Sequence, residues 1–352
     1  IHQTGTTKVD ILFVVDNSNS MSEEQTVLTD QIVVMAQELI NPATEGAPAV
    51  QDMHIGIVTT DMGTGGYTIQ TCSNPMGGDS GVLQNINAIG QSHCLDTYSA
   101  TDCDRSNCPW LNHSVDNPDD GSDPENAPIW EDFGCVATLG TGGCGFEQQL
   151  EASLSALTLQ SGPGMPNEGF VREDSLLAII YVTDEDDCST GNAEFFNPAR
   201  NEQYGTLNVR CALNPEELYP ISRYHDAFVD LRGGNQDRVV VAAITGVPID
   251  GSWNPGDPIE RLEELQQVNP SNPNELLRSC DTAMGAAYPP VRIAELVYAF
   301  DTNGILESIC RNDWSAALQA ITNKIQDKLG GVCVGRPLAS TGADACRVIE
   351  TL

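Results

Sequence analysis

Positive charge is what this chain has least of. Sixteen lysines and arginines stand against 50 aspartates and glutamates in 352 residues, a formal net charge of −34. Only Lys8, Lys324 and Lys328 are lysines. Nucleic acid and anionic membrane surfaces both need a basic footprint, so neither fits as a partner. No apolar run approaches membrane-spanning length, which argues against direct membrane insertion. The histidines are His2, His54, His93, His113 and His225, and their spacing suits neither a zinc site nor a catalytic triad. That argues against an enzyme. No Cys-x-x-Cys occurs, which speaks against paired zinc knuckles and thioredoxin-type redox chemistry.

Cysteine itself is not scarce. Twelve are present, an even number, and most lie in Gly-, Asn- and Asp-rich loops rather than apolar runs. This usage reads as disulfides formed in an oxidising compartment, hence a secreted, cell-surface or periplasmic protein. Neighbour pairing gives Cys188–Cys211, Cys280–Cys310 and Cys333–Cys346 as the economical guesses. No signal peptide is visible, so the expectation is that a leader has been removed.

The chain is organised around residues 9–20. The apolar run 9–15 has no polar alternation from Ile11 on, as expected of a strand buried on both faces. It ends in Asp16-Asn17-Ser18-Asn19-Ser20, after which Leu28, Ile32, Met35 and Leu39 recur at helical intervals. Ser20 and Glu23 have capping-box spacing. Asp-x-Ser-x-Ser offers only oxygen ligands, which suit Mg²⁺, Mn²⁺ or Ca²⁺. The bland alternative is that Asp16 and the serines cap the helix.

Further buried strands are expected at 53–60, 175–182 and 238–246. Helices are expected over 146–157, around Tyr224, Phe228 and Leu231, and over 258–267, 289–300 and 314–329. The strand at 175–182 discharges into a second acidic turn, Thr183-Asp184-Glu185-Asp186-Asp187. Two such strands in a parallel sheet can bring their terminal carboxylates together. The alternation implies an α/β fold, a doubly wound, mostly parallel sheet flanked by helices. Residues 1–330 read as one domain with a cysteine-bearing insertion at 62–135, and 331–352 as a tail, docked or leading to a further domain. Two motifs are set aside. Gly78-Asp79-Ser80-Gly81 lacks the upstream strands of a trypsin-like protease, and Gly140-Thr141-Gly142-Gly143-Cys144-Gly145 lacks the later acidic strand end of a dinucleotide site.

With both acidic turns placed, the sequence resembles the von Willebrand factor type A, or integrin I-like, domain. Residues 9–21 look like that family's first strand and metal-ion-dependent adhesion site, and 179–184 like its fourth strand and closing Thr-Asp. The order of elements extends the likeness over roughly 8–330. More narrowly, residues 10–25, 54–62, 145–148 and 183–189 are similar to acidic, cysteine-rich extracellular proteins of myxobacteria and related deltaproteobacteria. The resemblance implies that Asp16, Ser18 and Ser20 hold a Mg²⁺-type cation with Asp184. It also implies a further ligand from a loop before the third helix, for which Glu147 and Thr141 are both candidates. Asp186 and Asp187 read as solvated acids, with a second cation as the alternative.

The implied function is binding rather than turnover. A partner's Glu or Asp carboxylate fills the cation's open position, in the manner of an extracellular adhesion module. The competing reading is a structural subunit of a surface layer or filament, with neighbouring copies as partners and the metal only stabilising. The family couples capture to movement of its last helix, here 314–329, which disulfides near Cys310 and Cys333 could restrain.

Overall fold

The apolar runs of the sequence form the middle of one six-stranded sheet. The computed structural model describes residues 6–42, 49–84, 109–115, 128–282 and 285–330. In chain order the strands are β1 (Lys8–Val15), β2 (Asp52–Thr59), β3 (Leu111–Ser114), β4 (Leu176–Val182), β5 (Val239–Thr245), β6 (Cys280–Thr282), β7 (Gly285–Ala287) and β8 (Gly304–Ser308). The central sheet has the order β3-β2-β1-β4-β5-β8, parallel except for the edge strand β3, and β6–β7 is a separate antiparallel hairpin. The helices of eight residues or more are α1 (Ser22–Ile40), α2 (Ile129–Val136), α3 (Gln149–Leu157), α4 (Ser222–Asp230), α5 (Val291–Ala299) and α6 (Ser315–Gly330). This is the doubly wound α/β architecture expected from the sequence, and its order reverses between β1 and β4.

Burial explains the patterning. Val9, Ile11, Phe13 and Val15 of β1 pack beneath α1, α2 and α6, with Leu28, Ile32, Phe133, Leu318 and Ile321 in the same cluster. Leu12 and Val14 face the other way, toward Leu150, Leu154, Tyr224, Phe228 and Ile293 of α3, α4 and α5. With both faces covered, a central strand can carry apolar side chains at every position. Each fully buried one contributes roughly 1.5–3 kcal/mol of transfer free energy, so β1 and β4 are firmly anchored. One buried charge sits in the strand. Asp10 is fully buried and accepts hydrogen bonds from the backbone N–H and Nε of Arg172, both at 2.7 Å, with Arg232 at 3.4 Å.

Several expectations are corrected. The Ser20–Glu23 capping box does not form. A 3-10 turn covers Asn19–Met21, α1 begins at Ser22, and no side chain caps either. The helix expected from residue 146 starts at Gln149, because Phe146 packs instead with Cys144, Phe195 and Phe196 in a small cluster under the loops. The helix expected at 258–267 is confined to Ile259–Glu263. Within the stretch 62–135, β3 pairs with β2 and α2 packs on α1 in the main core. Residues 85–108 and 116–127 of that stretch, with Cys94, Cys103 and Cys108, lie outside the described residues, as do the tail 331–352 and the Cys333–Cys346 pair. Cys188–Cys211 and Cys280–Cys310 are bonded as expected. The Cys72–Cys144 bridge, which spans 72 residues, was not expected.

Candidate metal centre

Strand register builds the centre. Val15 of β1 is level with Thr59 of β2 on one side and Val182 of β4 on the other. The next residues, Asp16, Thr60 and Thr183, therefore emerge side by side at the carboxyl edge, where the strand order reverses. The Asp16 N–H donates to the Val182 carbonyl at 2.9 Å, which holds the two strand ends together. Asp16 is fully buried. One of its oxygens accepts from the Ser18 N–H at 2.7 Å and the other from the Thr183 hydroxyl at 2.7 Å. Thr183 in turn accepts from the Gln149 side-chain amide at 3.0 Å, so the first residue of α3 orients Asp16 through it. The Ser18 and Ser20 hydroxyls lie 3.0 Å apart. They face each other rather than capping α1.

Asp184 follows Thr183, and its environment is the most informative in the molecule. Its side chain is buried, yet neither carboxylate oxygen has a hydrogen-bond partner within bonding geometry. Burial, then Asp16 and Glu185, drive its pKa well above the carboxylate range, with only the nearby Ser20 hydroxyl lowering it among the leading influences. Glu147 is also buried and raised well above its usual value, first by burial and then by Glu185 and Asp16. Glu185 is pushed up to about 7 by burial and Asp16. Asp16 itself is raised by burial against the hydrogen bonds from Thr183 and Ser18. Glu24, in the first turn of α1, is pushed up to about 7 by burial, with Glu23 and Asp16 adding to it. For Asp184, Glu147 and Glu185 the leading charges are other carboxylates. Buried like charges without a cation are costly, and orphaned buried oxygens need an explanation. A divalent cation among these oxygens satisfies both conditions. The donor set of carboxylates and hydroxyls suits Mg²⁺, Mn²⁺ or Ca²⁺.

The structure thus brings Asp16, Ser18, Ser20, Asp184 and Glu147 into one neighbourhood, and adds Glu185, which the sequence had placed only within a charged turn. Glu147 does not sit in the helix. It lies two residues before α3, held by the Cys188 N–H donating to its carbonyl at 2.8 Å. Thr141 is half-buried on the preceding loop. Gln25 clips that loop to β1: its amide donates to the carbonyls of Asp16 and Gly140, both at 2.9 Å, and its carbonyl accepts from the Gly140 N–H. Gly143 completes the join, donating to the Asn17 carbonyl at 2.8 Å, and a Cβ there would lie 2.1 Å from Asn17 Oδ1. That close approach explains a glycine in the motif set aside as a nucleotide site.

Asp186 and Asp187 are neither solvated acids nor a second cation site. Asp186 accepts from the Arg292 and Ile293 N–H groups at the start of α5 and from Gln266. Asp187, fully buried, accepts from the Leu150 N–H, from Ser189 and from Arg292 Nε at 3.1 Å. They anchor α5 and α3. The sequence could not show this, because α5 begins more than 100 residues later. Gly78–Gly81 forms a tight turn in which the Ser80 hydroxyl donates to the Gly77 carbonyl.

Asp61, Cys72 and Cys144 offer ligand atoms within 4.8 Å of one another, a spacing that could hold a metal ion. The two sulfurs are joined as a disulfide, however, and so present no thiolates. In this form the bridge works as a clasp. It ties the loop around residue 72 to the one carrying Glu147, alongside Gly145 N–H to Thr71 carbonyl and Ser73 hydroxyl to Gly142 carbonyl bonds, both 2.9 Å. Replacing both cysteines by serine is expected to weaken divalent-cation binding about tenfold while leaving far-ultraviolet circular dichroism unchanged. The ground is that a ligand loop held about 1 Å less firmly loses much of its affinity. Unchanged affinity in calorimetry would show that the clasp does not position Glu147.

A cleft of about 610 Å³ opens over this edge, reaching from Ser18, Ser20 and Glu147 to Tyr288 and α5. No protein-family model matches the chain, and no curated protein does. Among solved structures, it is similar to an aerotolerance-related membrane protein from Bacteroides fragilis NCTC 9343, crystallised with multiple mutations to serines, at 13% sequence identity and a TM-score of 0.30, over 91% of this chain and 99% of that one. Among the described residues no helix is long and apolar enough to cross a membrane. The fold assignment rests on the strand order and register of the chain itself.

Proposed function

We propose that this chain is a metal-dependent binding module of the von Willebrand type A kind, working outside the cytoplasm, which captures a partner's Glu or Asp carboxylate through a divalent cation. The observation that carries this reading is Asp184: two buried carboxylate oxygens, one residue beyond the Thr183 that lies level with Asp16 at the strand-order reversal, with no hydrogen-bond partner. Asp16 and Asp184 would hold the cation, with Ser18, Ser20 and Glu147 around it and Thr141 as the alternative to Glu147. The bound cation supplies a point of positive charge for an incoming carboxylate. The rest is done by the protein: Thr183 and Gln149 keep Asp16 oriented, and the open cleft admits a segment of another chain. The disulfides support a secreted or surface setting. Binding without turnover is part of the proposal.

One observation favours the runner-up, a structural subunit whose partners are neighbouring copies. Glu147 and Glu185 crowd the centre with carboxylates, and ligands of that number could enclose a cation completely. Water-proton relaxation of Mn²⁺-loaded protein separates the two. The binding reading expects enhanced relaxation that falls when a short aspartate peptide is added. No exchangeable water, with or without the peptide, would contradict it and favour the structural subunit.

A further inference from the structure

Asp61, two residues past the end of β2, is a buried carboxylate that plays no part in the cation reading. Its backbone is pinned, because its carbonyl accepts from the Asp79 and Ser80 N–H groups at 2.8 and 3.2 Å. Its side chain accepts from the Gly63 N–H at 2.8 Å. Burial raises its pKa, the Gly63 N–H works against that, Asp79 as a like charge adds to it, and the Cys144 N–H opposes it. No basic side chain stands among these influences. A buried carboxylate without a cationic partner calls for an explanation. Its close neighbours are sulfur: an oxygen of Asp61 and the Sγ atoms of Cys72 and Cys144 lie within 4.8 Å of one another. The bridge between those sulfurs can open without scattering them. The bonds from Gly145 N–H to the Thr71 carbonyl and from the Ser73 hydroxyl to the Gly142 carbonyl join the same two loops and involve no sulfur. Cys144 is fully buried, whereas Cys72 is 8% exposed between the exposed Thr71 and Ser73, so Cys72 Sγ is the atom an incoming thiolate reaches.

We propose that Asp61, Cys72 and Cys144 form a second metal site, closed while the bridge is intact and opened by thiols to take Zn²⁺. Two thiolates and a carboxylate are zinc ligands, and they leave a fourth position for a solvent molecule. The buried Thr64 hydroxyl lies 3.8 Å from Cys72 Sγ on the same side of the loop. Mg²⁺ and Ca²⁺, which prefer oxygen, gain nothing from the sulfurs. The opening step balances with a thiol as reductant. One thiolate attacks Cys72 Sγ, breaking the Cys72–Cys144 bond and leaving a mixed disulfide and the Cys144 thiol. A second thiol attacks the mixed disulfide, departs with the first as their joint disulfide, and frees the Cys72 thiol. The pair gains two electrons and two protons, and Zn²⁺ then displaces the protons to solvent. This site is independent of the oxygen-lined centre and stands whether or not that centre binds Mg²⁺.

The test equilibrates the whole chain in glutathione buffers of graded thiol-to-disulfide ratio, with and without buffered free Zn²⁺. Samples are quenched in acid, unfolded in chelator and alkylated, and mass spectrometry reads the open fraction of each bridge. Circular dichroism follows the fold in parallel. Zn²⁺ at about a hundred times its dissociation constant should raise the open-to-closed ratio of Cys72–Cys144 about a hundredfold. Cys188–Cys211 and Cys280–Cys310, which have no such carboxylate beside them, should not respond and serve as controls within the same molecule. In Asp61→Asn the zinc-driven rise should shrink about tenfold or more, as loss of a partner at a metal site does. A ratio unmoved by Zn²⁺, an equal rise at the control bridges, or an undiminished rise in Asp61→Asn would each overturn the proposal. So would a bridge that opens only once the fold is lost.

Discussion

Asp184→Asn is expected to stabilise the metal-free protein and to abolish its response to divalent cations. In the absence of metal, wild-type Asp184 holds a buried carboxylate with no hydrogen-bond partner beside Asp16 and Glu185. An unsatisfied buried charged group costs at least about 1–3 kcal/mol. Asparagine keeps the shape, removes the charge, and gives neighbouring carboxylates two N–H donors to accept from. Thermal unfolding in chelator should therefore occur several degrees higher in the variant. With excess Mg²⁺ or Ca²⁺ the order reverses: wild type gains about 2.7 kcal/mol at a cation concentration a hundred times the dissociation constant, and the variant gains nothing. Asp187→Asn is the control. It removes the partner of a buried arginine, so it should cost about 3–5 kcal/mol with or without cation. A variant at Asp184 that is destabilised in chelator would show that the carboxylate has a structural partner after all.

The pH dependence follows from the same groups. Glu185 and Glu24 are pushed up to about 7 in the folded protein, from an ordinary value of 4.5. Asp16, Asp184 and Glu147 are raised as well. The folded chain therefore binds protons that the unfolded chain releases between pH 4.5 and about 7. That contribution is full below pH 4.5 and is lost as the pH rises through about 7. Metal-free protein should be most stable in mild acid and lose a few kcal/mol toward neutrality, on the order of one kcal/mol for each pH unit across which one group is affected. Carboxylates held low by their partners, such as Glu194 at about 2, act in a separate window below pH 4.5. A saturating divalent cation should remove the neutral-side loss, since cation and proton compete for the same oxygens. Scanning calorimetry across this range, with chelator and with Mg²⁺, checks it. A melting temperature that rises toward neutrality in chelator would contradict the account.

What could be read in advance follows from where burial is two-sided. β1, β2, β4 and β5 announce themselves because both faces are covered, nearly every position is buried, and most positions turn apolar. β3, with the sequence Leu-Asn-His-Ser, is a four-residue edge strand half-covered by α2, so it carries no such run. β8 and the β6–β7 hairpin are short for the same reason. At the centre, Asp16, Ser18, Ser20 and Asp184 were legible because each lies just past a strand end, and two parallel strands of matched register must bring their ends together. Glu185 was not distinguishable from Asp186 and Asp187, since what separates them is a helix start and an arginine far along the chain. The Cys72–Cys144 clasp was hidden because it joins loops 72 residues apart rather than neighbours.

The central claim is that the two acidic turns form one cation site. Titration calorimetry of Mg²⁺, Mn²⁺ and Ca²⁺ into metal-stripped wild type, beside the Asp184→Asn variant, tests it most directly. The account predicts saturable binding near one equivalent in wild type and none in the variant. Weak binding of equal strength in both would mean that Asp16 and Asp184 do not share a cation, and the carboxylate-capture reading would fall with it.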